Sequence, residues 1–308
     1  MWLFMNKTAG LAVILLVFHA VSISAFGRKE TPPEPAPGPE QTRAEQVTKA
    51  LAAAYPQQID RVEFRNSDWA VLLRGTWYYY AEGRMLPENM LRNAAGYNPQ
   101  PFYNYQKELP QWREPSSDET ARYREMANNR SRNPPRRSPV FFDSLWRITS
   151  RDEAYQRVKS INFLGKSILV HYLILEELSL VEEQILAAAK TDPQVQTWIN
   201  SITTAEGWNW RNIAETYSRS YHSYGLAIDL LPRSSGGKET YWLWTARQRT
   251  DWWNISYNER LHPPTAVIKA FETYGFIWGG KWLFFDTMHF EYRPEILILS
   301  GMPVETRR

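Results

Sequence analysis

Only five histidines occur in the 308 residues, and two of them stand in short segments that also carry carboxylates. One segment is Ser220-Tyr-His222-Ser-Tyr-Gly225-Leu-Ala227-Ile-Asp229, and the other is Asp286-Thr-Met-His289-Phe-Glu291. His222, Asp229 and His289 supply two imidazoles and one carboxylate, a donor set that holds zinc with a fourth position open. Zinc in such a site lowers the pKa of a bound water to about 7 and polarises a carbonyl. Amide hydrolysis then needs a second carboxylate, free of the metal, to take the proton from water and pass it to the leaving amine. Asp286, three positions before His289, suits that task. Glu291 suits a partner that orients an imidazole. The chain has no cysteine, so thiolate ligands, disulfides and cysteine nucleophiles are excluded, and any metal must sit on His, Asp and Glu.

Strand periodicity is what would bring these residues together. Gly225 to Leu231 alternates, with Ala227 and Asp229 on one face and Leu226, Ile228 and Leu230 on the other. A carboxylate there is costly to bury unless it is paired or metal-bound. Gly225 allows the chain to turn and return His222 to the same side. Met288 to Tyr292 also alternates, with His289 and Glu291 sharing a face, so pairing of the two strands lets Asp229 meet His289. Between them, Pro263-Pro264 opens a helix carrying Val267, Ile268, Phe271 and Tyr274, which Gly275 closes. Gly279-Gly280 then turns the chain into a strand at Trp282 to Phe285.

At these positions the sequence resembles the VanY-like zinc peptidases. The pattern is Ser220-x-His222-x-x-Gly225-x-Ala227-x-Asp229, then Gly275-Phe-x-Trp-Gly279-Gly280-x-Trp282, then Asp286-x-x-His289-Phe-Glu291. That family comprises D-alanyl-D-alanine carboxypeptidases and L-alanyl-D-glutamate endopeptidases of peptidoglycan. The resemblance spans about 195–294 and implies an α+β fold: an antiparallel sheet with flanking helices, as in the hedgehog signalling domain. It further implies zinc on His222, Asp229 and His289, with Asp286 as general base. An aspartate at the base position resembles the L-alanyl-D-glutamate branch more closely. Members usually place an arginine upstream of the first zinc histidine to hold substrate or the oxyanion. Arg211 and Arg219 both compete for that part, and Ser220 is grouped with them. The expected partners are peptidoglycan stem peptides. The rival expectation is a non-catalytic wall-binding module of the same fold.

The remaining chain sets the context. A hydrophobic share of 43% with 14% aromatics belongs to a folded protein, and 14 tryptophans and 17 tyrosines suit a packed core. A net charge of +3 gives no case for nucleic acid. Residues 1–27, with Lys7, an apolar run from Ala9 to Ala25 and small residues at Ser22 and Ser24, read as a signal peptide. Export to the periplasm or cell envelope follows, with membrane attachment only if the segment stays uncleaved; His19 lies in it and is no ligand. Residues 28–42 read as a Pro-rich linker, 43–150 as an accessory region and 151–308 as the peptidase domain. Within the accessory region a helix to Ala54 and strands at Val62–Phe64, Trp69–Leu73 and Gly75–Tyr80 are expected. The segment 97–139 reads as loop, its basic run Arg130, Arg132, Arg136 and Arg137 as solvated. Asp152 to Asp192 reads as helices with a capping box at Ser179 and Glu182, His171 as a core histidine, and Val195 to Thr204 as a strand.

Overall fold

The structure, a computed structural model, describes residues 39–109, 111 and 113–305. The expected signal peptide and residues 28–38 of the expected linker lie outside them. Helix α1 (Pro39–Ala54) begins inside the stretch read as linker and buries Ala44, Val47 and Leu51, one face at helical spacing. Strands β1 (Ile59–Arg65), β2 (Asp68–Leu73), β3 (Thr76–Tyr79) and β4 (Leu86–Pro87) follow as an antiparallel sheet in that order.

Residues 97–139 are not simply a loop. They contain α2 (Ser117–Arg132), opened by a capping box in which Ser116 and Glu119 satisfy each other's backbone N–H. Beyond it come α3 (Val140–Trp146) and α4 (Arg151–Arg157). The expected run of helices is then interrupted by an antiparallel hairpin, β5 (Val158–Phe163) and β6 (Lys166–His171). Helix α5 (Leu175–Ala189) starts four residues before Ser179, so no capping box forms there, and Glu182 accepts instead from the backbone N–H of Leu164. The expected strand at 195–204 is mostly helix α6 (Pro193–Ser201), because Asp192 caps its start and Pro193 fills the first turn, outweighing β-branched content.

The second sheet carries the site. Its order is β7 (Ile202–Glu206), β8 (Ala227–Pro232), β10 (His289–Tyr292), β9 (Phe276–Trp278), all antiparallel. Short helix α7 (Trp242–Ala246) lies in the β8–β9 connection, and α8 (Thr265–Thr273) buries Val267, Ile268 and Phe271 beneath the sheet. The Phe271 ring stacks on Phe290 with centroids 3.9 Å apart. After α8, the strand is β9 and not Trp282–Phe285, which forms an irregular segment leading to β10. The last described helix is α9 (Pro294–Leu299). The fold is therefore α+β with antiparallel sheets. One core cluster runs from Ala44 to Tyr292 through both the accessory region and the site-bearing sheet, so packing is continuous across the boundary drawn at 150. Among the described residues no helix is long and apolar enough to cross a membrane.

The β5–β6 hairpin touches the site-bearing sheet at two glycines. Trp208 N–H donates to Leu169 O (2.6 Å), and His171 N–H donates to Gly225 O (2.8 Å). A Cβ on Gly207 would stand 2.1 Å from Leu169 O. One on Gly225, which has φ +70°, would stand 2.8 Å from His171 N. His171 is fully buried, its Nδ1 accepting from Leu173 N–H (3.1 Å), as a core residue should be. Gly207→Ala and Gly225→Ala should each cost about 1–3 kcal/mol. Gly96→Ala, which meets nothing within 4 Å, should be nearly neutral. Urea titration checks this, and equal midpoints for all three would sink it.

Candidate metal and active site

Asp229 and His289 stand directly opposite each other on β8 and β10, with Glu291 opposite Ala227. His222 arrives from a single helical turn, Tyr221–Tyr224. Ser220 Oγ accepts from His222 N–H there, and left-handed Gly225 ends the turn. Three atoms converge as a result. His222 Nε2 lies 3.2 Å from His289 Nδ1 and 3.2 Å from Asp229 Oδ2, while His289 Nδ1 lies 2.8 Å from Asp229 Oδ1. Tetrahedral zinc with bonds near 2.0 Å separates its ligand atoms by about 3.3 Å, so the spacing fits.

The outer ring nitrogens fix which atoms face inward. His222 Nδ1 donates to Gly207 O, and His289 Nε2 donates to Glu291 Oε2 (3.0 Å). Each imidazole thus turns its remaining nitrogen toward the carboxylate, and three lone pairs meet unless a cation or proton separates them. Glu291 is held in turn by Arg293 Nη1 (3.1 Å), Arg293 Nε by Glu295 Oε1, and Glu295 Oε2 by the hydroxyl of Tyr55, the residue after α1. Arg293 has no solvent exposure, so its charge depends on these two glutamates.

Burial raises the Asp229 carboxyl, but His222 and His289 outweigh it and hold it well below the usual carboxylate range. Burial lowers the His289 imidazole, yet the hydrogen bonds it donates to Asp229 and Glu291 carry it up to about 10. Asp286 differs from both. Burial first, then the charge of Asp229, pushes its carboxyl up to about 6. Its Oδ1 is buried without a hydrogen-bond partner among the described residues. Such an oxygen is the expected mark of a group that waits for a ligand or a proton.

Asp229, Asp286, His289 and Glu291 open on a cavity of about 500 Å³. Arg211 lines it. The Arg211 backbone is fastened on both sides by the Ser223 hydroxyl, at 2.9 Å and 2.7 Å. Arg219 does not line it: its guanidinium pairs with Asp143 and lies 4.6 Å from the Trp210 ring centre. Of the two competing arginines, Arg211 is therefore the one in position, and Ser220 lines the cavity while its hydroxyl also braces the His222 turn. Three further polar residues on the wall come from the segment read as loop: Tyr103, Arg130 and Arg137. The basic run divides accordingly, with Arg132 and Arg136 exposed and Arg130 and Arg137 in the cavity. The Ser116-x-x-Glu119 spacing marked the helix that delivers Arg130; nothing in the sequence pointed to Tyr103.

Asp229 and Glu291 favour the protonated form of His289, so ligation at Nδ1 competes with a proton there. Zinc binding at pH 7 should therefore release about one proton, and affinity should fall as pH falls. Calorimetry in buffers of different ionisation enthalpy measures the release; an enthalpy independent of buffer would contradict this reading of His289.

Comparison with known proteins bears on the same segment. No curated protein and no solved structure matches the chain. Residues 47–102, from α1 through the first sheet, match a family described as a domain of unknown function. Residues 214–292, which hold His222, Asp229, Asp286, His289 and Glu291, match the family described as D-alanyl-D-alanine carboxypeptidase, and this supports a peptidase.

Proposed function

We propose that the chain is an exported, zinc-dependent peptidase that hydrolyses an amide bond in peptidoglycan stem peptides. The observation that carries this reading is the Asp286 oxygen, without a hydrogen-bond partner among the described residues, in a cavity that Asp229 and His289 also line and behind which His222 converges on them. A binding module has no use for a desolvated carboxylate beside the metal position, whereas hydrolysis requires one. Export rests on the apolar run from Ala9 to Ala25 and its small residues, and it places the protein in the periplasm or cell envelope.

His222, Asp229 and His289 would hold the zinc, which supplies a Lewis acid that polarises the scissile carbonyl and acidifies a water. Asp286 takes the proton of the attacking water on its free oxygen and returns it to the leaving amine. A value near 6 suits both transfers, since the carboxylate is ionised at neutral pH and only weakly acidic once protonated. Arg211 offers a guanidinium for the charge that develops on the carbonyl oxygen or for a nearby substrate carboxylate. Gly207 O and Glu291 keep the two imidazoles in the tautomers that ligation needs. Tyr241, Trp242 and Phe284 supply aromatic surface to the cavity wall.

Digestion of muropeptides by the zinc-loaded protein, followed by mass spectrometry of the products, tests the proposal. Release of terminal D-alanine or cleavage between L-alanine and D-glutamate is expected. Asp286→Asn should lower the rate about 10²–10⁴-fold. Because the base works ionised, kcat/KM should fall tenfold per pH unit on the acid side. The midpoint is expected at or below about 6, a bound cation drawing it down. Wall binding with no hydrolysis by either form would favour the binding module instead.

A further inference from the structure

The cavity is over-supplied with cations. Arg293 is answered by Glu291 and Glu295, but Arg130, Arg137 and Arg211 have no carboxylate partner among the described residues. Across from them stand Asp286 and Asp229, and a divalent metal on Asp229 would more than cancel that charge. A ligand bringing a single carboxylate would leave part of the surplus unmatched in a partly buried cavity.

Two of these arginines come from outside the segment matched by the carboxypeptidase family. Arg130, in the last turn of α2, donates from Nη2 to Ala214 O (3.0 Å) and has its guanidinium 4.7 Å from the Phe284 ring centre. Its Nε is buried with no partner among the described residues. Arg137 is fixed at both ends of its residue. Its backbone N–H donates to Ser218 Oγ (3.1 Å) and its Nε donates to Pro99 O (2.9 Å), and the two terminal nitrogens of the fork have no hydrogen-bond partner among the described residues. Tyr103 stands on the same wall, and its hydroxyl oxygen accepts from Trp282 Nε1 (2.7 Å), leaving its own proton to donate. This wall thus presents donors in a fixed arrangement, the form that carboxylate recognition takes.

We infer that Arg130 and Arg137 form a second anionic subsite, so that the substrate is a peptide bearing a side-chain carboxylate in addition to its terminal one. The inference rests on the peptidase reading for the identity of the ligand, but not for the subsite itself. Arg211 and the metal position handle the reacting amide. The wall that Tyr103, Arg130 and Arg137 build reads the neighbouring acidic residue and sets where along the stem peptide the chain docks.

Binding separates this proposal from the hydrolysis reading. The probe is an L-alanyl-D-glutamyl peptide with both its glutamate side carboxylate and its terminal carboxylate free, beside the same peptide with the side carboxylate amidated. Calorimetry uses full-length, zinc-loaded protein carrying Asp286→Asn to prevent turnover. The free peptide should bind about 10–100-fold tighter than the amide. Arg137→Gln or Arg130→Gln should remove that preference without weakening the amide, Arg137→Lys should keep part of it, and Arg132→Gln on the exposed side of α2 should leave it intact. Equal affinity for both peptides, or variants that weaken both alike, would overturn the subsite even if hydrolysis is found. A carboxylate preference lost in the arginine variants would uphold it even if no peptide is cut.

Discussion

Three electron-pair donors, His222 Nε2, His289 Nδ1 and Asp229, are forced to within about a ligand–ligand spacing of one another, and everything around them serves that convergence. Strand register sets Asp229 against His289, and the left-handed Gly225 closes the turn that returns His222. Left to themselves the three groups would repel or share a proton, and the raised His289 imidazole is what proton sharing looks like in the metal-free chain. A divalent cation relieves the same conflict more fully. The fold holds an unfavourable arrangement of lone pairs that a bound divalent cation would relieve.

That arrangement is held from behind by buried charge. His289, Glu291, Arg293, Glu295 and Tyr55 form an unbroken line of hydrogen bonds from the candidate metal position to the end of helix α1, far earlier in the chain than His222. Removing one member of such a line typically costs about 3–5 kcal/mol, because its neighbour is left buried and unpaired. The β5–β6 hairpin does related work through Leu169 O and His171 N–H, which fasten the segments carrying Gly207 and Gly225. The segment 101–107 lies along the loop before β10. There Tyr105 bonds Glu272 and Trp278, and backbone carbonyls of Gln106 and Lys107 accept from Lys281. The N-terminal part of the folded chain is therefore structural support for the site and part of its wall.

The chemistry-bearing residues were legible because period-2 alternation around Asp229 and His289 is strong and short-range, and the structure keeps both strands on the expected faces. Helix α8 was legible from Pro263-Pro264, the Val267 to Phe271 spacing and Gly275. What escaped was decided by context. Ile168 to Leu175 is a continuous apolar run, which cannot distinguish a buried strand from a helix, and the hairpin there was missed. Val195, Thr197 and Ile199 suggest a strand, but Asp192 and Pro193 start a helix before β propensity can act. Arg130 and Arg137 read as solvated because charge runs usually are; only tertiary contacts with Ala214 and Pro99 separate them from Arg132 and Arg136. Arg211 and Arg219 were indistinguishable by spacing, and Asp143, 76 positions from Arg219, decides between them.

The central claim is that one metal sits on His222, Asp229 and His289 while Asp286 stays free of it. Zinc content per chain after exhaustive dialysis, measured in parallel on wild type and single variants, tests it most directly. Wild type and Asp286→Asn should each retain about one zinc, and His222→Ala, Asp229→Ala and His289→Ala should lose it. Zinc kept by the three alanine variants, or lost with Asp286→Asn in a chain that remains folded, would contradict the account.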